Sequence, residues 1–226
     1  MSRLSRILYV LAAAGALATA TTAVQAEGAF AQLYAARPPA GSSFVRVVNP
    51  GTGPLRVKIA DGVQQTLAGT QIASTYAIVK GNTSFSVVLD GKAATLQVGP
   101  DTVTTLVPKR EGSHVSLAAI NDVGVTQDAL KADLRFYNLT GNCASGQLDV
   151  SPAGQSLFLN IPPGMAAGRA INPVSATLEA VCGSSHSAPY TLPTLQPGDH
   201  YSLFLTGSAT RPALRGQPSE TDPYQQ

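Results

Sequence analysis

The stretch Val45-Arg46-Val47-Val48-Asn49 recurs 89 residues later as Leu134-Arg135-Phe136-Tyr137-Asn138, and this repeat decides the fold. Each copy reads apolar, Arg, apolar, apolar, Asn, and each is followed by a turn that contains glycine. Solenoid repeats have periods of roughly 20 to 50 residues, so this spacing is too long for them. It matches the size of a β-sandwich domain instead. The repeat therefore predicts an all-β fold of two successive β-sandwich domains joined by a linker.

Alternating apolar runs surround both copies and set the expected domain boundaries. In residues 27–108 such runs recur with turn signals between them, and the Asp90-Gly91 pair between two runs is a strong hairpin signal. A second series of alternating runs fills residues 132–207. We therefore expect an N-terminal sandwich at 27–108 and a C-terminal sandwich at 132–207.

Two segments lack this alternation. Residues 109–131 contain Lys109-Arg110-Glu111-Gly112 and few large apolar side chains after Ile120, which predicts a linker. An alternative is that Val115 to Ile120 pairs as an edge strand. Residues 208–226 are polar and contain three prolines, so we expect a disordered tail there.

The first 26 residues have the composition of a secretory signal peptide. Arg3 and Arg6 give a basic start, residues 7–17 are apolar, and Val24-Gln25-Ala26 resembles a cleavage site. A membrane anchor is the alternative, but the apolar run is shorter than the roughly 20 residues that a spanning helix needs. The sequence thus predicts export to the periplasm, cleavage near Ala26 and no membrane span in the mature chain.

Charge argues against nucleic-acid binding. Two of the 15 basic residues, Arg3 and Arg6, lie in the predicted signal peptide, and all 13 acidic residues follow it. The remaining chain therefore has a formal charge of zero, with its charges dispersed. A neutral chain lacks the basic surface with which proteins bind the phosphates of nucleic acids.

The two cysteines, Cys143 and Cys182, both lie in the second repeat. In an exported protein the expected state is a disulfide between them. Closing a loop of about 40 residues should stabilise the fold by roughly 4 kcal/mol, because it restricts the unfolded chain. Two free buried thiols are the alternative.

Motifs for catalysis or metal binding are weak in this sequence. The three histidines, His114, His186 and His200, do not have the spacing of metal ligands. Asp199 and His200 could be combined with a serine, but adjacent residues of a strand point to opposite faces and no Gly-x-Ser-x-Gly turn is present. We therefore expect no catalytic residue, no metal and no cofactor.

Carbohydrate binding is a further hypothesis. Sugar-binding modules present aromatic rings to the apolar faces of sugars, and this chain has no Trp. Its candidate rings fall mostly on predicted strands, where core packing is equally expected: Tyr34, Tyr76, Tyr137, Tyr190 and Tyr201. Arg46 and Arg135 could be repeated site residues, but a strand Arg usually faces solvent or a cross-strand partner, and we expect that here.

Several segments together resemble the AlgF family. They are Leu33-Tyr34, Phe44 to Asn49, Leu130 to Leu139, and Arg169-Ala170-Ile171-Asn172-Pro173, after an export signal. Members of that family are periplasmic accessory proteins of alginate O-acetylation in Gram-negative bacteria, with relatives in bacterial cellulose acetylation. The resemblance covers nearly the whole mature chain, and its motifs are strand signatures rather than catalytic ones.

The resemblance implies a non-catalytic adaptor for O-acetylation of an exopolysaccharide, either alginate or cellulose. Its partners would be a periplasmic polysaccharide O-acetyltransferase and a membrane-bound O-acyltransferase, and the polysaccharide itself is a further candidate ligand. Our candidate interaction residues are Arg46, Arg135, Tyr137 and Arg169. Two alternatives remain open, namely a relay protein that carries acetyl on a Ser or Thr hydroxyl, and a carbohydrate-binding module.

Overall fold

Paired strands make up most of the described chain, and their pairing follows the repeat seen in the sequence. The computed structural model describes residues 38–111, 114–122, 128 and 130–224. Within those ranges it contains 17 strands and no helix. The all-β fold predicted from the alternating apolar runs is therefore confirmed.

The N-terminal half forms two four-stranded sheets. One has the order β4-β1-β7-β8 and the other the order β3-β2-β5-β6. The bounds are β1 Ser42–Val47, β2 Leu55–Ile59, β3 Gln65–Leu67, β4 Ala77–Lys80, β5 Phe85–Leu89, β6 Lys92–Leu96, β7 Val103–Glu111 and β8 His114–Asn121. Asp90 and Gly91 join β5 to β6 and both have positive φ, 49° and 83°, as the predicted hairpin turn requires.

The C-terminal half repeats this plan. One sheet has the order β12-β9-β16-β17, and in the other β10 lies between β11 and β13, which also pairs with β14 and β15. The bounds are β9 Ala132–Asn138, β10 Gly146–Val150, β11 Gln155–Ile161, β12 Met165–Ile171, β13 Ala176–Cys182, β14 Ser185–His186, β15 Tyr190–Leu192, β16 His200–Ser208 and β17 Arg211–Pro218.

Strand direction shows that the two halves share one topology. The first strand of each half lies between an antiparallel edge strand and a parallel partner: β1 pairs with β4 and β7, and β9 pairs with β12 and β16. The two Arg-bearing stretches are thus the same strand, β1 and β9, in two copies of one sandwich. The short β14 has no counterpart among the described strands of the N-terminal half.

Alternation along β1 and β9 assigns one face of each strand to a core. Val45 and Val47 are fully buried in the core between the N-terminal sheets. Leu134 and Phe136 have the same place in the C-terminal core. The intervening residues, including Arg46, therefore point to the opposite face of the sheet.

The predicted linker at 109–131 is wrong over most of its described residues. Strand β7 continues to Glu111, and β8 returns antiparallel beside it from His114 to Asn121. The alternative of an edge strand at Val115 to Ile120 is the one that the structure shows. Lys109, Arg110 and Glu111 are thus the last residues of β7 and do not lie in a linker between domains.

The predicted disordered tail at 208–226 is also wrong over its described part. Strand β17, Arg211–Pro218, pairs with β16 along its whole length. Beyond it, Thr221 bridges to Tyr76 of the N-terminal half. Prolines at the second and last positions of β17 are tolerated because the strand is at the edge of its sheet.

The signal peptide predicted at residues 1–26 and the Leu33-Tyr34 segment of the family resemblance lie outside the described residues. No helix long and apolar enough to cross a membrane occurs in the part of the chain that the structure describes.

The asparagine that ends each repeated stretch has the same role in both halves. Asn138 donates to the carbonyls of Cys143 and Ile161 and accepts from the backbone N–H of Thr140. Asn49 donates to the carbonyls of Gly53 and Leu67 and accepts from the N–H of Gly51. Each Asn therefore fixes the turn after its strand and ties it to the opposite sheet.

Asn138→Ala is expected to lower the free energy of unfolding by about 2–3 kcal/mol, because it leaves buried carbonyls without a donor. Asn138 is fully buried and Asn49 is half-buried, so Asn49→Ala should cost less, about 1 kcal/mol. Chemical denaturation of both variants measures the difference. The exposed Asn121→Ala in β8 is the control, and an equal loss for Asn121 and Asn138 would contradict this role.

The disulfide predicted between Cys143 and Cys182 is confirmed. The two Cα atoms are 5.7 Å apart, and the bond spans 39 residues. It joins the turn after β9 to the end of β13, at the edge of the C-terminal core. The bond therefore ties the turn between β9 and β10 to the end of β13.

Candidate functional site

A third cluster of buried apolar residues lies where the two sandwiches meet. It takes Val48, Ile72, Ala73 and Ile120 from the N-terminal half and Tyr137 and Phe204 from the C-terminal half. Val48 and Tyr137 occupy equivalent positions in the two repeats. The face of the first repeated stretch that points away from the N-terminal core thus packs against the C-terminal sandwich. The corresponding face of β9 packs against the N-terminal sandwich.

Arg46 lies beside this cluster and is completely buried. Its Nε donates to Thr105 Oγ1 at 3.0 Å, and its Nη2 donates to Tyr137 Oη and Ser202 Oγ, each at 2.8 Å. Its Nη1 donates to Ser219 Oγ at 3.2 Å. One side chain of the N-terminal half therefore contacts β9, β16 and the segment after β17.

Three aromatic rings surround the Arg46 guanidinium. Its Cζ lies 4.5 Å from the ring centroid of Tyr76, 5.3 Å from that of Tyr137 and 5.5 Å from that of Phe204. A guanidinium over an aromatic face is stabilised by the ring quadrupole, and more so when it is desolvated. The rings thus shield the charge from water and also stabilise it.

Asp122 supplies the opposite charge without touching Arg46. Its Oδ2 accepts from Tyr76 Oη and Thr105 Oγ1, each at 2.7 Å, and its Oδ1 accepts from Tyr137 Oη at 2.8 Å. Thr105 and Tyr137 also accept from Arg46, so their hydroxyls connect the two charges. Arg46, Asp122, Tyr76, Thr105, Tyr137, Ser202 and Ser219 form what we call the junction network.

Burial and charge shift the pKa values in the junction network. Burial by itself lowers the pKa of Arg46, but Tyr137, Tyr76 and Asp122 raise it above its ordinary value overall. Burial raises the pKa of Tyr76 and of Tyr137 well above the usual range for tyrosine. The guanidinium therefore stays charged and both phenols stay protonated as donors at neutral pH.

The segment from β17 onward also connects the two halves. Gln217 Oε1 accepts from the N–H groups of Ile72 and Ala73 at 2.7 and 2.8 Å. Thr75 Oγ1 donates to Asp222 Oδ1 at 2.6 Å. Through Gln217 and Asp222, this segment thus binds residues 72–75 of the N-terminal sandwich to the C-terminal sandwich.

A polar cleft of about 350 Å³ lies along this junction. Its lining comes from the loop before β4 and from β17 and the residues after it: Thr70, Gln71, Ala73, Ser74, Thr75, Gly216, Gln217, Pro218 and Glu220. Most of these residues carry hydroxyl, amide or carboxylate side chains, Ala73 and Pro218 add apolar surface, and no aromatic ring is among them. The cleft is therefore mixed in polarity.

A second cluster of polar side chains, formed by Asp133, Arg135 and His200, lies partly at the surface at the edge of the junction. Asp133 Oδ2 accepts from Arg135 Nε at 3.2 Å and lies 3.2 Å from His200 Nδ1. The Asp133 side chain is 9% exposed and the His200 side chain is 61% exposed. Burial lowers the pKa of Arg135, but Asp133 and more distant groups raise it overall, so Arg135 remains a cation.

The four candidate interaction residues have different environments. Arg46 and Tyr137 are fully buried in the junction network. Of the two settings expected for Arg46, solvent or a cross-strand partner, the structure shows the second, since Thr105 is its paired residue on β7. The side chain of Arg135 is 14% exposed and is held by Asp133. Arg169 is exposed on the edge strand β12, where its Nη1 contacts Leu157 O at 3.4 Å.

Sequence reasoning missed several residues of the junction. Asp122 lies in the predicted linker and Ser219 in the predicted tail, where no partner of Arg46 is expected. Asp199 does not pair with His200, since its Oδ2 accepts from Gln196 N in a turn. The carboxylate beside His200 is Asp133, which the sequence places 67 residues away.

The tyrosines weighed as sugar platforms are largely inaccessible. Tyr76, Tyr137 and Tyr201 are buried, and the hydroxyl of half-buried Tyr190 lies 2.6 Å from that of Tyr201. Tyr34 is outside the described residues. Among the residues with described positions, no group of three His, Cys, Asp or Glu side chains could hold a metal ion.

These features define a class of protein: a tandem β-sandwich whose two repeats are joined by a buried polar network. Comparisons with known proteins give the family. Residues 14–202 match the family model described as "Alginate O-acetyl transferase AlgF", and the chain belongs to the AlgF family.

Two curated relatives agree with this assignment. The "Alginate biosynthesis protein AlgF" of Pseudomonas aeruginosa is 30% identical over 204 residues, covering 88% of this chain and 87% of the relative. The protein of the same description from Pseudomonas putida is 27% identical over 184 residues, covering 80% of each. A solved structure of the C-terminal domain of AlgF from P. aeruginosa is 27% identical, covers 39% of this chain and 98% of its own, and has a TM-score of 0.35.

Proposed function

We propose that this protein is a periplasmic accessory protein of alginate O-acetylation that binds the acetyltransferase machinery as an adaptor. The observation that carries the proposal is the family match, which spans residues 14–202. Both curated relatives are described as alginate biosynthesis proteins. Alginate is therefore favoured over cellulose as the polymer.

The burial of Arg46 and Asp122 supports a structural role for these charged side chains. Arg46 and Asp122 are buried in the junction network and cannot reach a substrate without opening the fold. The residues that bind a partner must then come from the surface. Among the four candidate interaction residues, Arg169 is the exposed one.

The edge strand β12 gives Arg169 a suitable setting for contact with a protein. Met165, Gly168 and Arg169 are exposed along it, and among the described strands β12 pairs with β9 alone. Protein interfaces are enriched in Met and Arg. An edge strand can in addition pair with a strand of a partner protein. We therefore use Arg169 as the probe of binding.

Co-purification tests the adaptor role. The tagged chain, co-expressed with the periplasmic O-acetyltransferase from the same gene neighbourhood, should retain that enzyme on an affinity column. Arg169→Glu should reduce the retained fraction, because it reverses a charge at the proposed contact, whereas Arg56→Glu on the N-terminal sandwich should not. Failure to associate, together with normal alginate acetylation in a deletion strain, would contradict the proposal.

The carbohydrate-binding alternative makes a different prediction. Because Tyr76, Tyr137 and Tyr201 are buried and the Tyr190 hydroxyl lies 2.6 Å from that of Tyr201, none of these four rings offers an open platform for sugars. Titration with alginate oligomers should therefore show no saturable binding by calorimetry.

A further inference from the structure

Strand β12, Met165–Ile171, lacks the features that keep edge strands from pairing with further strands. Prolines and bulges have that effect: β17, at the other edge of the same sheet, contains Pro212 and Pro218, and β11 has register shifts against β10. All seven residues of β12 pair with β9 without a shift, and none of them is proline. Its outer edge is therefore regular enough to pair with an added strand.

The backbone groups at this outer edge belong to every second residue of β12. Asp133 N donates to Asp199 O, next to β16, so the backbone of Asp133 faces β16 and that of Leu134 faces β12. Arg169 pairs with Leu134, and its backbone is therefore bonded to β9. Alternation along the strand then directs the N–H and C=O groups of three residues away from β9, namely Ala166, Gly168 and Ala170.

The three residues with outward backbone groups are also small. Gly168 pairs with Arg135, and directly paired residues point to the same face of a sheet. Because Gly168 has no side chain, β12 places nothing between Arg135 and a residue that pairs with Gly168 from an added strand. That residue would lie about 10 Å from the Arg135 backbone, which is two strand spacings. The side chains of Arg and Glu together span this distance.

Two guanidinium groups with unused donors flank β12, one on each face of the sheet. Arg135 donates to Asp133 through Nε, and its Nη1 and Nη2 donate to no other residue that the structure describes. Arg169, next to Gly168 in the strand, points to the opposite face, is exposed, and reaches Leu157 O at 3.4 Å. No carboxylate within the described ranges forms an ion pair with Arg169. The two cations therefore favour an added strand that carries carboxylates.

Exposed apolar side chains mark both ends of β12. Met165 begins the strand, and Val174 follows shortly after its last residue. Leu130 is exposed at the same end as Val174, since its neighbour Lys131 contacts Asn172 through Nζ. An added strand that continues past β12 would remove these side chains from water, which favours association.

We propose that β12 accepts an extended segment of a partner protein as an added strand, and that carboxylates of this segment pair with Arg135 and Arg169. The backbone of such a segment supplies the acceptors and donors that the outward N–H and C=O groups of Ala166, Gly168 and Ala170 require. The identification of the partner as the acetyltransferase rests on the proposed function, whereas the docking mode rests on the geometry of β12.

A blocked heptapeptide of alternating glutamate and valine tests the strand addition on the full chain. Amide exchange measured by NMR should slow at Ala166, Gly168 and Ala170 in a saturable manner, because the peptide accepts hydrogen bonds from their N–H groups. The amides of Ala167 and Arg169, which already pair with β9, should not change. The same peptide with lysine in place of glutamate is the control and should give no protection at equal concentration.

Substitutions separate the backbone contact from the charge contact. Ala170→Pro removes an N–H group that faces the outer edge and leaves the ladder with β9 intact, so protection by the peptide should be lost. Arg135→Gln should weaken binding about fivefold, as expected for the loss of one ion pair. Lys80→Pro lies on β4, the strand that has the place of β12 in the N-terminal half, and should bind as the unsubstituted chain does. Thermal melting checks that each variant is folded.

Absence of protection by the glutamate peptide, or undiminished binding by Ala170→Pro, would overturn the proposal. Saturable protection by alginate oligomers would assign the edge to the polymer, and protection in the free chain that disappears on dilution would assign it to a second copy; either result would reject a partner segment. Retention of the acetyltransferase by Ala170→Pro would reject this docking mode and leave the adaptor role intact. Conversely, peptide protection in a chain that fails to retain the enzyme would support strand addition and contradict the adaptor role.

Discussion

Asp122→Ala is expected to lower the free energy of unfolding by about 3–5 kcal/mol, the cost of leaving a buried charge without its counter-charge. Arg46 would remain fully buried, and the hydroxyls of Tyr76, Thr105 and Tyr137 would lose their acceptor. The midpoint of urea denaturation measures the loss. An exposed carboxylate, Asp61, provides the control through Asp61→Ala.

A second substitution separates charge from packing in this prediction. Arg46→Met combined with Asp122→Ala removes both charges, so the pair should cost less than the sum of the two single losses. A loss below about 1 kcal/mol for Asp122→Ala, as is typical of an exposed ion pair, would contradict the account. Strict additivity of the two substitutions would also contradict it.

Removal of the disulfide is expected to have a comparably large effect. Cys143→Ala with Cys182→Ala releases a constraint across 39 residues, and the unfolded chain should gain entropy worth about 4 kcal/mol. Both positions are buried at the edge of the C-terminal core, so Ala is preferred to Ser as a replacement. Guanidinium denaturation of the double variant and the parent chain measures the difference.

Reductant supplies the control for the disulfide. It should lower the denaturation midpoint of the parent chain towards that of the double variant, and it should leave the variant unchanged. A shift of less than about 1 kcal/mol on reduction would show that the cross-link does not restrict the unfolded chain as the entropy model requires.

Strands with clear alternation could be predicted from the sequence because their burial is local. Residues 55–59 read apolar and basic in turn, and β2 buries Leu55, Val57 and Ile59 while Arg56 and Lys58 remain exposed. The repeated stretch also indicated the duplication correctly, since its two copies are β1 and β9. The disulfide followed from the presence of only two cysteines.

Strand β17 could not be predicted in the same way. Its sequence is polar and proline-bearing, and only Pro212 and Leu214 are buried along it. What holds it is tertiary: eight paired residues on β16 and the amide contacts of Gln217 with residues 72 and 73. Such long-range contacts leave no periodic signal in the local sequence.

The junction network could not be predicted from the sequence for a related reason. An Arg between two apolar strand residues predicts exposure, because an unpaired buried charge is costly. Arg46 is an exception since its partners come from β7, β9, β16 and the segments after β8 and β17, all distant in sequence. The Arg of the second repeat, Arg135, has a neighbouring carboxylate in its own strand, so the duplicated pattern serves two different environments.

The two sandwiches form one cooperative unit because the junction network joins β1 to β9. Hydrogen exchange measured by mass spectrometry on the parent chain and on Asp122→Ala tests this coupling. We expect β1, Ser42–Val47, and β9, Ala132–Asn138, to exchange faster in the variant by the same factor. Faster exchange of β1 with unchanged protection of β9 would contradict it.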